Sequence, residues 1–113
     1  MDIKINYKGK RILIKNLIVC DNFFSKFRGL MFRQEIKPLI FIFNKPVKDS
    51  IHSFFVFKPF RAIWILNNKV IDDKIIKPWS FYIKPKGFFD TLLELPLEEG
   101  KKYFEITDED RKI

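Results

Sequence analysis

The chain is poor in several residues that chemistry usually requires. Among 113 residues there is one cysteine, Cys20, and one histidine, His52. A single cysteine forms no intrachain disulfide. One Cys and one His cannot supply the ligand set of a structural zinc, and the sequence predicts no metal and no cofactor. The four glycines stand far apart, so no glycine loop cradles a phosphate. Ser50 and Ser53 have no nucleophile elbow around them. No apolar run approaches the roughly 18 residues of a membrane span. The opening Met1-Asp2-Ile3-Lys4 has no signal-peptide apolar region. These absences predict a cytoplasmic protein with no membrane partner. Cys20 closes an apolar run and reads as a small buried hydrophobe.

Apolar residues and positive charge are plentiful. Hydrophobic residues make up 47% of the chain and aromatics 17%, with 14 Phe, enough for a core and too much for a disordered segment. The length predicts a single domain over 1–113. The net charge is +8 and is uneven: residues 1–69 carry 14 Lys/Arg against 4 Asp/Glu, whereas residues 70–113 carry 8 against 10. A basic first half attracts nucleic acid or other polyanions. Its cations are scattered singly, however, as on a solvated surface. The abundance of Lys, Ile, Phe and Asn beside a single alanine, Ala62, also fits AT-rich codon usage.

Alternation sets the expected elements. Ile3 to Tyr7 alternates as a half-buried strand, Lys8-Gly9-Lys10 turns, and Arg11 to Cys20 reads as a longer strand bulged near Asn16. Asp21 suits a helix N-cap, Phe23, Phe24 and Phe27 share a helical face, and Gly29 suits the residue after the last turn. The spacing predicts a short helix over 22–28. Strands follow at Leu39–Phe43, Ile51–Phe57, Ala62–Leu66, Phe81–Ile83 and Phe88–Leu95, with Asn67-Asn68 as a two-residue hairpin turn into Lys69-Val70-Ile71. The six prolines fall at the edges of these runs. The tail from Glu98 is charged, with a helical turn expected before Phe104-Glu105-Ile106. The expected fold is mostly β (α+β): a small antiparallel curled sheet or barrel with one short helix.

Words in this order carry a resemblance. Gly29-Leu30-Met31 with Arg33, the apolar strand Leu39–Phe43, Ile51-His52-Ser53-Phe54-Phe55, Pro59 and Leu93-Glu94-Leu95-Pro96 resemble an archaeal-type member of the domain of unknown function 192 family. The likeness runs from about Val19 to Asp110. It implies a small, mostly β fold with one helix, and no established activity. Three positions depart from the family pattern. Lys26 stands where a helix Arg is expected, Glu109 replaces a Gly, and Arg61 replaces an Asp two residues after the proline. Arginine stays protonated and accepts no hydrogen bond, so this substitution predicts no divalent-metal chemistry at that place. The alternative is an Arg61 that simply points into water.

Four residues form the candidate binding pocket: Lys26, Arg33, His52 and Glu94. His52 has the one side chain that ordinarily titrates near neutrality. It reads either as a ligand-binding group at an apolar pocket or as a hydrogen-bonded core histidine. Glu94 interrupts an apolar strand, where a carboxylate is costly without a partner. Lys26, Arg28 or Arg33 is the expected partner, in a pair that locks the helix to the sheet or serves a ligand. Asp72-Asp73 reads as turn acid, and Asp108-Glu109-Asp110 as a solvated cluster. Phe54, Phe55, Phe57 and Phe60 with Lys58 and Arg61 make an aromatic–basic stretch: exposed rings favour nucleic acid, buried rings favour the core. The leading expectation is a non-catalytic binding module with a small-molecule or protein partner. Nucleic-acid binding through the basic first half comes second. An enzyme acting through His52 and Glu94 comes last, because no complete catalytic constellation assembles.

Overall fold

A computed structural model of the protein describes residues 1–20, 38–48, 58–79, 83–97 and 104–106. The expected helix over 22–28, the expected strand Ile51–Phe57, Phe81-Tyr82 and the tail words at Glu109 and Asp110 lie outside the described residues.

Among the described residues, eight strands form one curled sheet: β1 (Ile3–Tyr7), β2 (Lys10–Ile14), β3 (Ile18–Cys20), β4 (Leu39–Val47), β5 (Phe60–Leu66), β6 (Lys69–Ile76), β7 (Phe89–Pro96) and β8 (Phe104–Ile106). Their spatial order is β3-β4-β7-β5-β6-β1-β2-β8. The expected purely antiparallel sheet is corrected here. β3 runs parallel to β4, and β1 meets β6 in a single parallel bridge, Asn6 to Lys69. The long strand expected over Arg11–Cys20 is likewise two strands. Asn16 takes a positive φ of 62°, which ends β2 and redirects the chain into β3.

Local chemistry explains the hairpins. Lys8 and Gly9 join β1 to β2 with φ of 52° and 81°, and Asn67 and Asn68 join β5 to β6 with φ of 50° and 65°. Two successive positive values match the right-handed twist of the paired strands, and Asn and Gly tolerate them well.

Alternation along β5 divides the core. Phe60, Ala62 and Trp64 pack on one face with Leu39, Phe41, Leu92 and Cys20. Ile63 and Ile65 pack on the other with Ile40, Leu93, Leu95, Ile5 and Ile14. The second cluster joins β1 and β2 to β4 and β7, strands far apart in sheet order, so the sheet wraps around it. One corner of the curl is tied by backbone: Leu17 N–H donates to Met1 O (2.8 Å), and the Met1 ammonium donates to Leu17 O (2.7 Å). Strands buried on both faces read as continuous apolar runs, as in Leu39-Ile40-Phe41 and Leu92-Leu93.

Candidate functional site

The described polar chemistry gathers on β6. There the two-residue hairpin begins in simple register, with Leu66 opposite Lys69 and Ile65 opposite Val70. Had that register continued, Arg61 would have stood opposite Lys74, and like charges facing each other on paired strands repel. Instead the register shifts by one residue. Trp64 pairs with Asp72, Ile63 with Asp73, Ala62 with Lys74 and Arg61 with Ile75. Ile71 is the inserted residue of this β-bulge. The shift sends Asp72 to the Trp64 face and Asp73 to the Ile63 face. The turn-acid reading of Asp72-Asp73 is therefore corrected: both belong to the interior of a strand.

Asp73 is held by side chains from two other strands. Arg61 on β5 donates from Nε to Oδ1 (2.8 Å) and from Nη2 to Oδ2 (2.5 Å), a two-pronged fork. Tyr7 at the end of β1 donates its hydroxyl to Oδ2 (2.5 Å). Side-chain exposures of 30% for Arg61 and 17% for Asp73 place this pair at the rim of the wrapped face, partly screened by solvent. Burial pushes the Asp73 carboxyl up. The hydrogen bonds from Arg61 and Tyr7, then the charges of Arg61 and Lys8, outweigh that effect and hold it below the ordinary carboxylate value. The same hydrogen bond raises the Tyr7 hydroxyl. Arg61 is raised as well, first by its hydrogen bond to Asp73. The idea that Arg61 merely points into water is thus corrected.

Asp72 is arranged differently. It accepts from the backbone N–H of Asp73 (2.9 Å) and of Lys86 (3.1 Å), and the Lys74 ammonium lies 3.5 Å away. Lys74 also donates to Lys84 O (2.6 Å) and sits over the Trp64 ring. A cleft of about 240 Å³ opens where β1 leaves β6, lined by Tyr7, Lys8, Ile71, Asp72, Asp73 and Lys86 among others.

Of the four expected pocket residues, Glu94 is described. It stands on β7 between Leu39 and Ala62 of the flanking strands and is only 7% exposed. Lys26, Arg33 and His52, with Arg28, lie outside the described residues, as do Phe54, Phe55 and Phe57. Phe60 is 1% exposed and packs in the core, and Cys20 is buried as expected. Among the described residues, no three His, Cys, Asp or Glu side chains gather as a metal would require. No helix among them is long and apolar enough to cross a membrane. The Tyr7–Asp73–Arg61 cluster joins three strands that no local spacing in the sequence brings together. The Arg61–Lys74 clash in the simple hairpin register was the available signal.

Comparison with known proteins finds curated relatives and structures of like fold. The chain is 38% identical over 92 residues to a UPF0127 protein of Pyrococcus furiosus, covering 79% of this chain and 78% of the relative. It is 32% identical over 97 residues to a UPF0127 protein of Thermococcus sibiricus, covering 82% of this chain and 62% of the relative. A crystal structure of a protein of unknown function from Novosphingobium aromaticivorans superposes with a TM-score of 0.72 at 17% identity, covering 89% of this chain and 76% of that one. At that identity the likeness concerns the fold. No family model matches the chain.

Proposed function

Since the chain belongs to the UPF0127 family, the domain of unknown function 192 family of the motif resemblance, and that name assigns no activity, we propose that it is a non-catalytic binding module. In this reading it acts as one domain in the cytoplasm. It takes a small-molecule or protein ligand on the Trp64 face, through Glu94 with Lys26, Arg33 and His52. The observation that carries the proposal is Glu94 itself. A carboxylate sits at 7% exposure between Leu39 and Ala62, on a strand where an apolar side chain would pack at least as well. The ionisable group kept at that position supports a role in geometry or recognition.

The Asp73 site supports the non-catalytic part. A carboxylate held below its ordinary value by an arginine fork is ionised near neutrality, with no proton to donate, and is a weak base. The buried Phe60 ring also weighs against a stacking surface for nucleic acid.

The test is a ligand-observed NMR screen of the full chain against amino acids, carboxylic acids, amines and mononucleotides. Hits are expected to weaken in Glu94→Gln and in His52→Ala while the folded spectrum persists. Hits that bind both variants as tightly as the parent would place the ligand elsewhere. Turnover of a hit that requires His52 and Glu94 would replace this reading with the enzymatic one.

A further inference from the structure

A second concavity lies on other strands and has a different chemistry. Lys4 and Asn6 of β1 alternate with the core residues Ile3 and Ile5, so they share the face turned away from that core. Arg11 of β2 pairs directly with Asn6, and Lys69 of β6 pairs with Asn6 from the other side. Three neighbouring strands thus bring Lys4, Arg11 and Lys69 to one face around a central amide. The hairpin turn adds Asn67 and Asn68. These six residues, with Ile5, line a groove of about 300 Å³.

The described lining of this groove is basic and amide-rich. Among the described residues, its lining contains no carboxylate and no aromatic ring. Lys4, Arg11 and Lys69 are all exposed. Among the described residues, neither the Lys4 nor the Lys69 ammonium makes a hydrogen bond or ion pair. Asp90 approaches the turn from β7, but it accepts from the Asn67 backbone N–H at 3.2 Å and does not line the groove. The Lys4 and Lys69 ammonium groups therefore leave positive charge on this face that an anion would neutralise. The turn is also fixed: Asn6 N–H donates to Asn68 O at 2.7 Å, which seats the two asparagines against β1.

We propose that the Lys4–Asn6–Arg11–Asn67–Asn68–Lys69 groove is a binding site for a small phosphorylated ligand. Ammonium and guanidinium groups neutralise the phosphoryl charge, and side-chain amides donate to its oxygens. The volume is at the small end for a ligand site. Nucleic-acid binding proteins of the single-strand class line their grooves with rings for stacking. Among the described residues this lining has none, so the phosphoryl group is read without a base. The site is separate from the Glu94 face and stands or falls independently of it.

Pyrophosphate is the probe, titrated into the full chain and followed through its backbone amide NMR spectrum at low and then physiological salt. Saturable shifts confined to Asn6, Asn67, Asn68 and Lys69 are expected. Lys69→Gln and Lys4→Gln, both at exposed positions, should each weaken binding about tenfold, as expected for losing one charged hydrogen bond. Lys48→Gln, at an exposed position just past the end of β4, should leave it unchanged. Unsaturable shifts spread over lysines across the surface, or equal weakening by Lys48→Gln, would overturn the site. A ten-residue oligothymidylate provides the other arm. If it displaces pyrophosphate more tightly than pyrophosphate binds and shifts residues well outside the groove, the small-ligand assignment fails in favour of nucleic acid.

Discussion

Asp72 and Asp73 are adjacent in the chain and on the same strand, yet they occupy different physical settings. Asp73 accepts from side chains on β5 and β1, so its position depends on three strands meeting. Asp72 accepts two backbone N–H groups, one from its own successor and one from Lys86, and its cation stands at the longer distance of 3.5 Å. A carboxylate fixed by backbone donors keeps its site when a neighbouring side chain is trimmed. One fixed by long side chains loses partners with every substitution. The Ile71 bulge decides which aspartate has which environment, because without it the two would exchange faces.

The strongest way to break this contrast is Arg61→Asp, which restores the family's residue type but sets a carboxylate beside Asp73. We expect a loss of about 2–3 kcal/mol at neutral pH by chemical denaturation, less than for a fully buried pair because solvent reaches Arg61. Part of it should return in acid, as one proton is shared. A full loss that is indifferent to pH would mean that packing, not charge, governs the position. Next in size is the cycle formed by Arg61→Leu, Asp73→Leu and the double variant. A coupling of about 1 kcal/mol or more is expected. The same cycle between Lys74 and Asp72 should return about half that or less, and equal couplings would erase the contrast.

Acid titration sharpens it further. The folded Asp73 carboxyl lies below its ordinary 3.8. Its contribution is therefore complete above the unfolded value and disappears as pH falls through the lowered folded value. The denaturation midpoint of the parent should fall across that window more steeply than that of Asp73→Asn; parallel curves would exclude the linkage. Smallest is Tyr7→Phe, expected to cost about 0.5–1 kcal/mol near neutrality. The folded Tyr7 hydroxyl lies above its ordinary 10.0, so its contribution is present below that value and is lost as pH rises through the raised one. The parent should lose more stability than Tyr7→Phe in strong alkali.

Much of the scaffold follows from local chemistry that the sequence states directly. Alternation marks Ile3–Tyr7, the double asparagine marks the hairpin, and the apolar runs mark β4, β5 and β7 as strands buried on both faces. The motif words led to the family, and the acid within Leu93-Glu94-Leu95 announced itself by its surroundings. The relations between distant strands were not legible in this way. β3 joins β4 in parallel because Asn16 ends β2, and Tyr7 reaches Asp73 across 66 residues. The groove of Lys4, Arg11 and Lys69 exists because β1 lies between β2 and β6. Strand period and turn type depend on neighbouring residues, and a single sequence carries them. Register and strand order depend on which surfaces meet, and one inserted residue at Ile71 changed the face of every side chain that follows it on β6.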